Sequence, residues 1–256
     1  MATLEHFPTQ QAKFGSTQIR TAAKRYSAPG KGHDRVMRSP DFLAVADGAT
    51  PLHPSWPDAG DFAQSALTLL CEYSQDDRLS LQQVWRAAIA MVAQSITVPA
   101  VQVSCAVAMA RENNGCTEVA VCGDCTAFIK MRNGSTVEIR DERVRLLNAE
   151  ADASWGAGSV SKQRVRELMN TDDGYWIFSI NPVMADHIVN VAAPTEDIDS
   201  ILLFTDGFLA DSALPIIAML KEEPLNPLLD GLCRLTGPDI ARFFDDDACF
   251  LKATIL

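Results

Sequence analysis

The spacing of apolar residues predicts a chain in which strands outnumber helices. Apolar positions alternate with the two-residue period of a strand between 101 and 109, whereas Phe62, Ala66 and Leu70 follow the period of a helix. Predicted strands are Phe42–Ala46, Val101–Met109, Thr117–Cys122, Thr126–Met131, Thr136–Arg140, Tyr175–Phe178, His187–Ala192, Ser200–Thr205 and Cys249–Ile255. Predicted helices are Asp58–Ser74, Leu79–Ser95, a short charged helix over 161–170, and further helices within 213–244.

Most of these strands follow one another without an intervening helix. The pair Asn133-Gly134 separates two of them and is typical of a tight hairpin. Strands joined by hairpins are antiparallel, and helices that do not alternate with strands must cover the outer faces of the sheets. The pattern therefore predicts a layered α+β fold, with residues 1–256 as a single domain.

Composition narrows the possible partners. The chain has 256 residues, 47% of them apolar, and a net charge of −11, which disfavours a nucleic-acid partner because phosphate backbones require Lys and Arg. The polar opening segment predicts no signal peptide, and the uncharged stretch 87–110 changes period at Pro99, which favours two elements over a membrane span. Seven scattered cysteines favour reduced thiols in a cytoplasmic protein, and we interpret Cys122-x-x-Cys125 as incidental because strands flank it.

Four apolar runs end at aspartates, and this pattern carries the candidate chemistry. They are "FLAVADG" with Asp47, "EVAVCGD" with Asp124, "ILLFTDG" with Asp206, and in reverse order "DDDACFL" near the end of the sequence. A single Asp-Gly pair is an ordinary turn. Carboxylates collected from several strand ends are instead typical ligands of hard cations such as Mg²⁺ or Mn²⁺, which would offset the repulsion within the terminal triplet.

In this order, the motifs "HDR", "VADG", "GD", "LLFTDG" and "DDDACF" resemble the metal-dependent type 2C protein phosphatases, the PPM family. The resemblance spans about residues 21–255. It implies a four-layer αββα sandwich in which two central antiparallel sheets are covered by helices. It also implies two Mn²⁺ or Mg²⁺ ions, with a site for a third, and a phosphorylated protein as substrate.

The resemblance implies a role for each acid. Asp47 would bridge two metals, Gly48 would offer its carbonyl oxygen to one of them, and Asp206 would bind the second. Asp124 would hold a third, weaker ion, and Asp34 would contact metal-bound water.

The terminal triplet is assigned by spacing within the family motif. The metal ligand lies three residues before the usual Ser or Thr, a position that Cys249 occupies in this chain. The ligand is therefore Asp246, and Asp245 and Asp247 are expected to be solvated neighbours. Together, Asp34, Asp47, Asp206 and Asp246 form the predicted catalytic set, acting through bound metals and water.

The sequence also departs from the family pattern. His33 stands where the family often has a Glu, and we expect it to be a surface residue. Ala49-Thr50 replaces the segment that carries a proton-donating His in animal enzymes, and the nearby His53 is interpreted as a loop residue. The family's phosphate-binding Arg is either Arg20 or Arg25, which spacing does not separate.

The implied function is hydrolysis of phosphoserine or phosphothreonine on proteins by a water that two metals activate, in a monomeric enzyme. The alternative is a catalytically weak or inactive phosphatase fold that serves as a binding or regulatory protein, favoured by the missing Glu. A third hypothesis, an acidic domain that only buffers cations, explains the charge but not the order of motifs.

Residues 141–174 interrupt the strand series with mixed charge, Gly156 and Gly158, and one predicted helix. We predict a mobile, substrate-facing flap here, as in the family; the alternative is a helical excursion packed on a sheet edge.

Overall fold

The computed structural model describes residues 3–27, 32–50, 58–96, 103–156, 158–207 and 247–256. Strands in this part of the chain are β1 (Thr3–Phe14), β2 (Thr17–Ser27), β3 (Arg35–Ser39), β4 (Phe42–Gly48), β5 (Cys105–Asn113), β6 (Cys116–Cys122), β7 (Thr126–Met131), β8 (Thr136–Arg140), β9 (Val189–Pro194), β10 (Ile198–Phe204) and β11 (Ala248–Ile255). Helices are α1 (Ala59–Ser74), α2 (Leu81–Ser95), α3 (Arg143–Trp155) and α4 (Ser159–Glu167), with 3₁₀ turns at Pro182–Asp186 and Thr195–Asp197.

The strands form two antiparallel sheets. The first sheet has the order β1-β2-β11-β10-β7-β8, and the second has the order β3-β4-β5-β6-β9. Every strand pair within them is antiparallel. Strand β11 therefore lies inside the first sheet, between β2 and β10, although it comes last among the described strands.

Alternating side chains of β4 show how the layers stack. Leu43 and Val45 pack against Ile201 and Leu203 of the first sheet, so a shared apolar core lies between the two sheets. The intervening residues of β4, such as Phe42, face the opposite side and pack against α1 and α2. Because successive side chains of a strand point to opposite sides, alternate residues of β4 pack against the first sheet and against the helices.

Helices α1 and α2 cover the outer face of the second sheet. The Asp58 side chain accepts a hydrogen bond from the Asp61 amide (3.0 Å) at the start of α1. Ser80 and Gln83 form a reciprocal capping box at the start of α2. These caps satisfy amide groups that a first helical turn leaves without partners. Apolar side chains on the buried faces include Phe62, Leu67, Leu70, Trp85 and Ile89.

The predicted α+β fold with two packed antiparallel sheets is confirmed. The stretch 87–110 divides into the end of α2 and the start of β5, as expected. Among the described helices, none has both the length and the apolar composition needed to cross a bilayer. The helices predicted within 213–244 lie outside the described residues.

Three local predictions were incomplete or wrong. Strands β1, β2 and β3 were not predicted. The segment predicted as a strand at Tyr175–Phe178 makes only isolated bridges, from Tyr175 to Met169 and from Phe178 to Cys105. Between β8 and β9 the chain forms two helices, α3 and α4, where one was predicted.

Candidate metal centre

Three carboxylates from different strands meet at one edge of the sheets. Asp47 ends β4, Asp124 follows β6, and Asp206 follows β10, so both sheets contribute. One oxygen from each of them lies within 4.8 Å of the others, and Asp47 and Asp124 are half-buried while Asp206 is exposed. This is a donor set of charged oxygens, which suits a hard divalent cation better than a soft one.

Glycines next to two of these acids allow backbone segments to approach closely. A Cβ atom on Gly48 would overlap the Ala59 carbonyl oxygen at the start of α1, and one on Gly207 would overlap the Asp247 carbonyl oxygen. Only glycine fits at such contacts. The Asp-Gly pairs therefore place the carboxylates by packing rather than by turn geometry alone.

Asp34 lies beneath this cluster, with its side chain fully buried. The Thr205 hydroxyl donates a hydrogen bond to Asp34 Oδ2 (2.7 Å) and itself accepts one from the Cys249 amide (2.9 Å). Asp34 Oδ1 has no hydrogen-bond donor among the described residues, and the Asp47 carboxyl lies within hydrogen-bonding reach of the Asp34 carboxyl. A buried carboxylate oxygen without a donor is costly unless a proton or a cation reaches it.

Burial and mutual repulsion raise the pKa values in the cluster. Desolvation raises the pKa of Asp34 to about 7, opposed by the Thr205 hydrogen bond and reinforced by the charges of Asp247 and Asp206. The pKa of Asp47 is raised well above its ordinary value by desolvation and by the charges of Asp34 and Asp124. Desolvation also raises the pKa of Asp124. Without a cation, this site favours protonated carboxyls.

We expect the metal-free protein to lose stability as pH rises from 5.5 to 8. The pKa of Asp34 is about 7 in the folded state, whereas 3.8 is the ordinary value that applies in the unfolded chain. The folded protein therefore keeps a proton that the unfolded chain releases, and that stabilisation is lost as pH rises through 7. The loss over this interval is about 2 kcal/mol, or about 5 °C in Tm. Thermal melts in chelator at several pH values measure this loss. In the Asp34→Asn variant, Tm should depend less on pH. A wild-type Tm that increases with pH would contradict the assignment.

Asp247 is a residue whose surroundings differ from the prediction. It was expected to be solvated, but only 5% of it is exposed, so that expectation was wrong. Asp247 Oδ2 accepts hydrogen bonds from the amides of Gly32 (2.6 Å) and His33 (2.7 Å), and the residue lines the same cavity as Asp206. Asp245 and Asp246 lie outside the described residues, as does His53, and the assignment of Asp246 as the ligand stays a prediction.

The two candidate phosphate-binding arginines occupy different ends of β2. Arg20 is exposed and lies opposite Thr254, about 17 Å along the strand from Arg25, so the structure does not bring it to the carboxylates. Arg25 lies nearer, opposite Cys249, and donates to the Asp34 carbonyl oxygen (3.0 Å). Its other terminal nitrogen is paired with Glu5 (2.6 Å). His33, expected at the surface, is half-buried and lines the cavity.

A solvent-accessible cavity of about 360 Å³ lies over the carboxylates. Its lining includes Asp47, Asp124, Asp206 and Asp247 on one side. The rest of the lining includes side chains of α3 and α4, within the segment 141–174 that was predicted to face the substrate, although none of them was singled out from the sequence: Val144, Asn148, Asp152, Lys162, Val165 and Arg166. Thr205 was also missed, although it stands inside the "TDG" motif.

The cysteines near the centre are buried thiols. Burial raises the pKa values of Cys105, Cys125 and Cys249 well above the ordinary range, so these thiols stay protonated at neutral pH. Cys122 belongs to the apolar cluster under α1 and α2, whereas Cys125 belongs to the core between the sheets. The Cys-x-x-Cys pair therefore does not present two thiols to one ligand.

Comparison with known proteins identifies the fold. No protein-family model matches the sequence, and the curated protein sequences give no match. The serine/threonine phosphatase PstP/Ppp of Mycobacterium tuberculosis matches with a TM-score of 0.61 at 16% identity, over 92% of this chain and 98% of that one. PppA, a regulatory component of T6SS in Pseudomonas aeruginosa, matches with a TM-score of 0.61 at 14% identity, over 96% and 100%. The PPM Ser-Thr phosphatase MsPP of Mycobacterium smegmatis matches with a TM-score of 0.53 at 14% identity, over 100% and 98%.

The chain therefore has the fold of bacterial PPM-type serine/threonine phosphatases, as the sequence resemblance predicted. At these sequence identities the similarity to the phosphatases is a similarity of fold.

Proposed function

We propose that this protein is a metal-dependent phosphatase that hydrolyses phosphoserine and phosphothreonine in protein substrates. One observation carries the proposal: Asp47, Asp124 and Asp206 meet within 4.8 Å at the floor of an open cavity, at matching edges of two packed sheets. Carboxylates held this close repel one another when ionised, and a cation bound between them would offset that repulsion.

The residues of the chain fit Mn²⁺ or Mg²⁺. Asp47, Asp206 and Asp124 would hold the ions, with the Gly48 carbonyl oxygen and Asp246 as further ligands. When bound, such ions polarise a phosphoryl group and lower the pKa of a water molecule. The PstP catalytic domain has been solved in complex with two manganese ions, which supports the same pair for this fold.

Asp34 is placed to manage a proton at Oδ1. Its Oδ2 is fixed by the Thr205 hydroxyl, so Oδ1 is the atom that remains for a proton or a water. Without bound cations the pKa of this carboxyl is raised to about 7, so it can take up a proton in the neutral pH range. The buried cysteines stay protonated and take no part, and the proposed route is direct attack of water on phosphorus.

A specific observation supports the alternative, a weakly active or inactive protein with a binding or regulatory role. Neither predicted phosphate-binding arginine presents a guanidinium to the cavity: Arg20 lies far along β2, and Arg25 is engaged by Glu5 and by the Asp34 carbonyl. PppA is described as a key regulatory component of its secretion system, although that description concerns PppA alone. The same assay separates the two functions.

We expect hydrolysis of p-nitrophenyl phosphate and of a phosphothreonine peptide in Mn²⁺, and its loss in EDTA. The reason is that the carboxylates cannot activate water without the ions. Release of inorganic phosphate measures it, with excess Mn²⁺ restoring the rate after chelation. Activity that persists in EDTA would contradict the metal mechanism. A folded protein that is inactive with every divalent ion tested would favour the regulatory alternative.

A further inference from the structure

The cavity has two walls of opposite chemistry. Its floor carries the acidic cluster, whereas α4 presents Lys162, Val165 and Arg166 to the same space. These positions are three and four residues apart, so they lie on one face of the helix. One carboxylate, Asp152 of α3, shares this wall.

Of the two basic side chains that α4 presents to the cavity, Arg166 is held by a hydrogen bond and Lys162 is available to a ligand. Arg166 donates a hydrogen bond to the Thr50 carbonyl oxygen (2.5 Å), which fixes its guanidinium beside the segment that follows β4. The Lys162 side chain is exposed and makes no ion pair with any residue that the structure describes. Residues 143–167 hold five basic and three acidic residues, although the whole chain has a net charge of −11.

Exposed apolar side chains of α3 and α4 lie around the other face of α4, because Val160 is two residues, about 200°, away from Lys162. The described residues include six large apolar side chains that are strongly exposed, and three of them, Leu146, Trp155 and Val160, belong to α3 and α4. Trp155 is 59% exposed, and the Arg164 guanidinium lies 5.6 Å from the centre of its ring. Exposed aromatic and basic groups in one place are typical of a surface that binds another protein.

We propose that α3 and α4 form a docking surface for an acidic segment of the phosphorylated protein substrate. Lys162 and Arg166 would attract carboxylates that flank the phosphorylated residue. Charge complementarity selects this occupant, because a basic segment would meet like charges on α4. The proposal rests on the proposed phosphatase function and specifies which substrates that function would favour.

Two phosphothreonine peptides test it, identical except that Asp and Glu flank the phosphorylated residue in one and Lys flanks it in the other. We expect kcat/KM in Mn²⁺ to be about tenfold higher for the acidic peptide, which is the effect of two exposed charge pairs. The acidic peptide should have the lower KM, and kcat should be the same for both peptides. The preference should shrink in high salt. Lys162→Glu should remove the preference and Asp152→Asn should strengthen it. Arg78→Glu is the matched control, because it makes the same change in charge on an exposed residue between α1 and α2, away from α3, α4 and the cavity lining.

A measurement of peptide binding keeps the test of the docking surface separate from the test of catalysis. Fluorescence anisotropy with the Asp47→Asn variant reports docking whether or not the wild type turns over. If no peptide or p-nitrophenyl phosphate is hydrolysed but the acidic peptide still binds better, the catalytic proposal fails and the docking surface stands. Equal affinity for the two peptides, or a preference that Lys162→Glu leaves unchanged, overturns the docking proposal.

Discussion

Replacement of Asp47 by asparagine should reduce Mn²⁺-dependent phosphate release by at least about 10³-fold, and Asp206→Asn should do the same. Both substitutions remove a charged oxygen from the set that would hold the ions. In chelator, the same variants should melt at or above the wild-type temperature, because each removes a carboxyl whose ionisation is opposed by desolvation or opposes the ionisation of its neighbours. Added Mn²⁺ should stabilise the wild type by about 5 °C or more, and the variants much less.

Asp77→Asn is the control for this pair. Asp77 is exposed in the connection between α1 and α2, and the substitution makes the same change in charge outside the cavity. It should leave both activity and the response to Mn²⁺ unchanged. Wild-type behaviour of the Asp47 and Asp206 variants in all three measurements would show that the cluster is no metal centre.

Gly48→Ala should destabilise the protein by about 3 kcal/mol and also weaken its response to Mn²⁺. The added methyl group would overlap the Ala59 carbonyl oxygen, so either β4 or the start of α1 must move. Since backbone atoms cannot rotate away as a side chain can, the neighbouring Asp47 carboxylate would move with them. Chemical unfolding with and without Mn²⁺ measures both effects.

The matched variant is Gly134→Ala. Gly134 has a positive φ of 87° in the hairpin between β7 and β8, and nothing lies within 4 Å of an added Cβ. Its cost should be the conformational penalty alone, about 1 kcal/mol, with a normal response to Mn²⁺. Equal losses for the two glycine variants would mean that the contact between β4 and α1 does not position the site.

The sequence predicted the second sheet and its helices more fully than the first sheet. Strands such as β4 and helices such as α1 carry strong apolar periods because they bury one or both faces. Strands β1 and β2 are rich in polar residues, and their register comes from pairing with each other and with β11. Helix α3 buries only Val144 and Ala151, so its apolar stripe is too narrow to recognise.

Asp47, Asp124 and Asp206 were named from their positions at strand ends and Asp34 from the family resemblance, and the structure brings all four into one neighbourhood. The terminal triplet could not be resolved in the same way. Successive residues in an extended chain point to opposite sides, so which acid turns inward depends on the phase of β11. Asp247 is held by amides of Gly32 and His33, a contact between segments more than 200 residues apart that no local pattern reveals. The basic residues of α4 were missed because a charged helix is usually a solvated one.

The position of β11 inside the first sheet has a consequence for synthesis on the ribosome. Because β11 separates β2 from β10, these two strands remain unjoined until residues 248–255 have emerged. The same segment carries Cys249, whose amide supports the Thr205 hydroxyl that holds Asp34. A nascent chain that has already made β10 still lacks this arrangement, so translation must proceed through β11 before the surroundings of Asp34 can form.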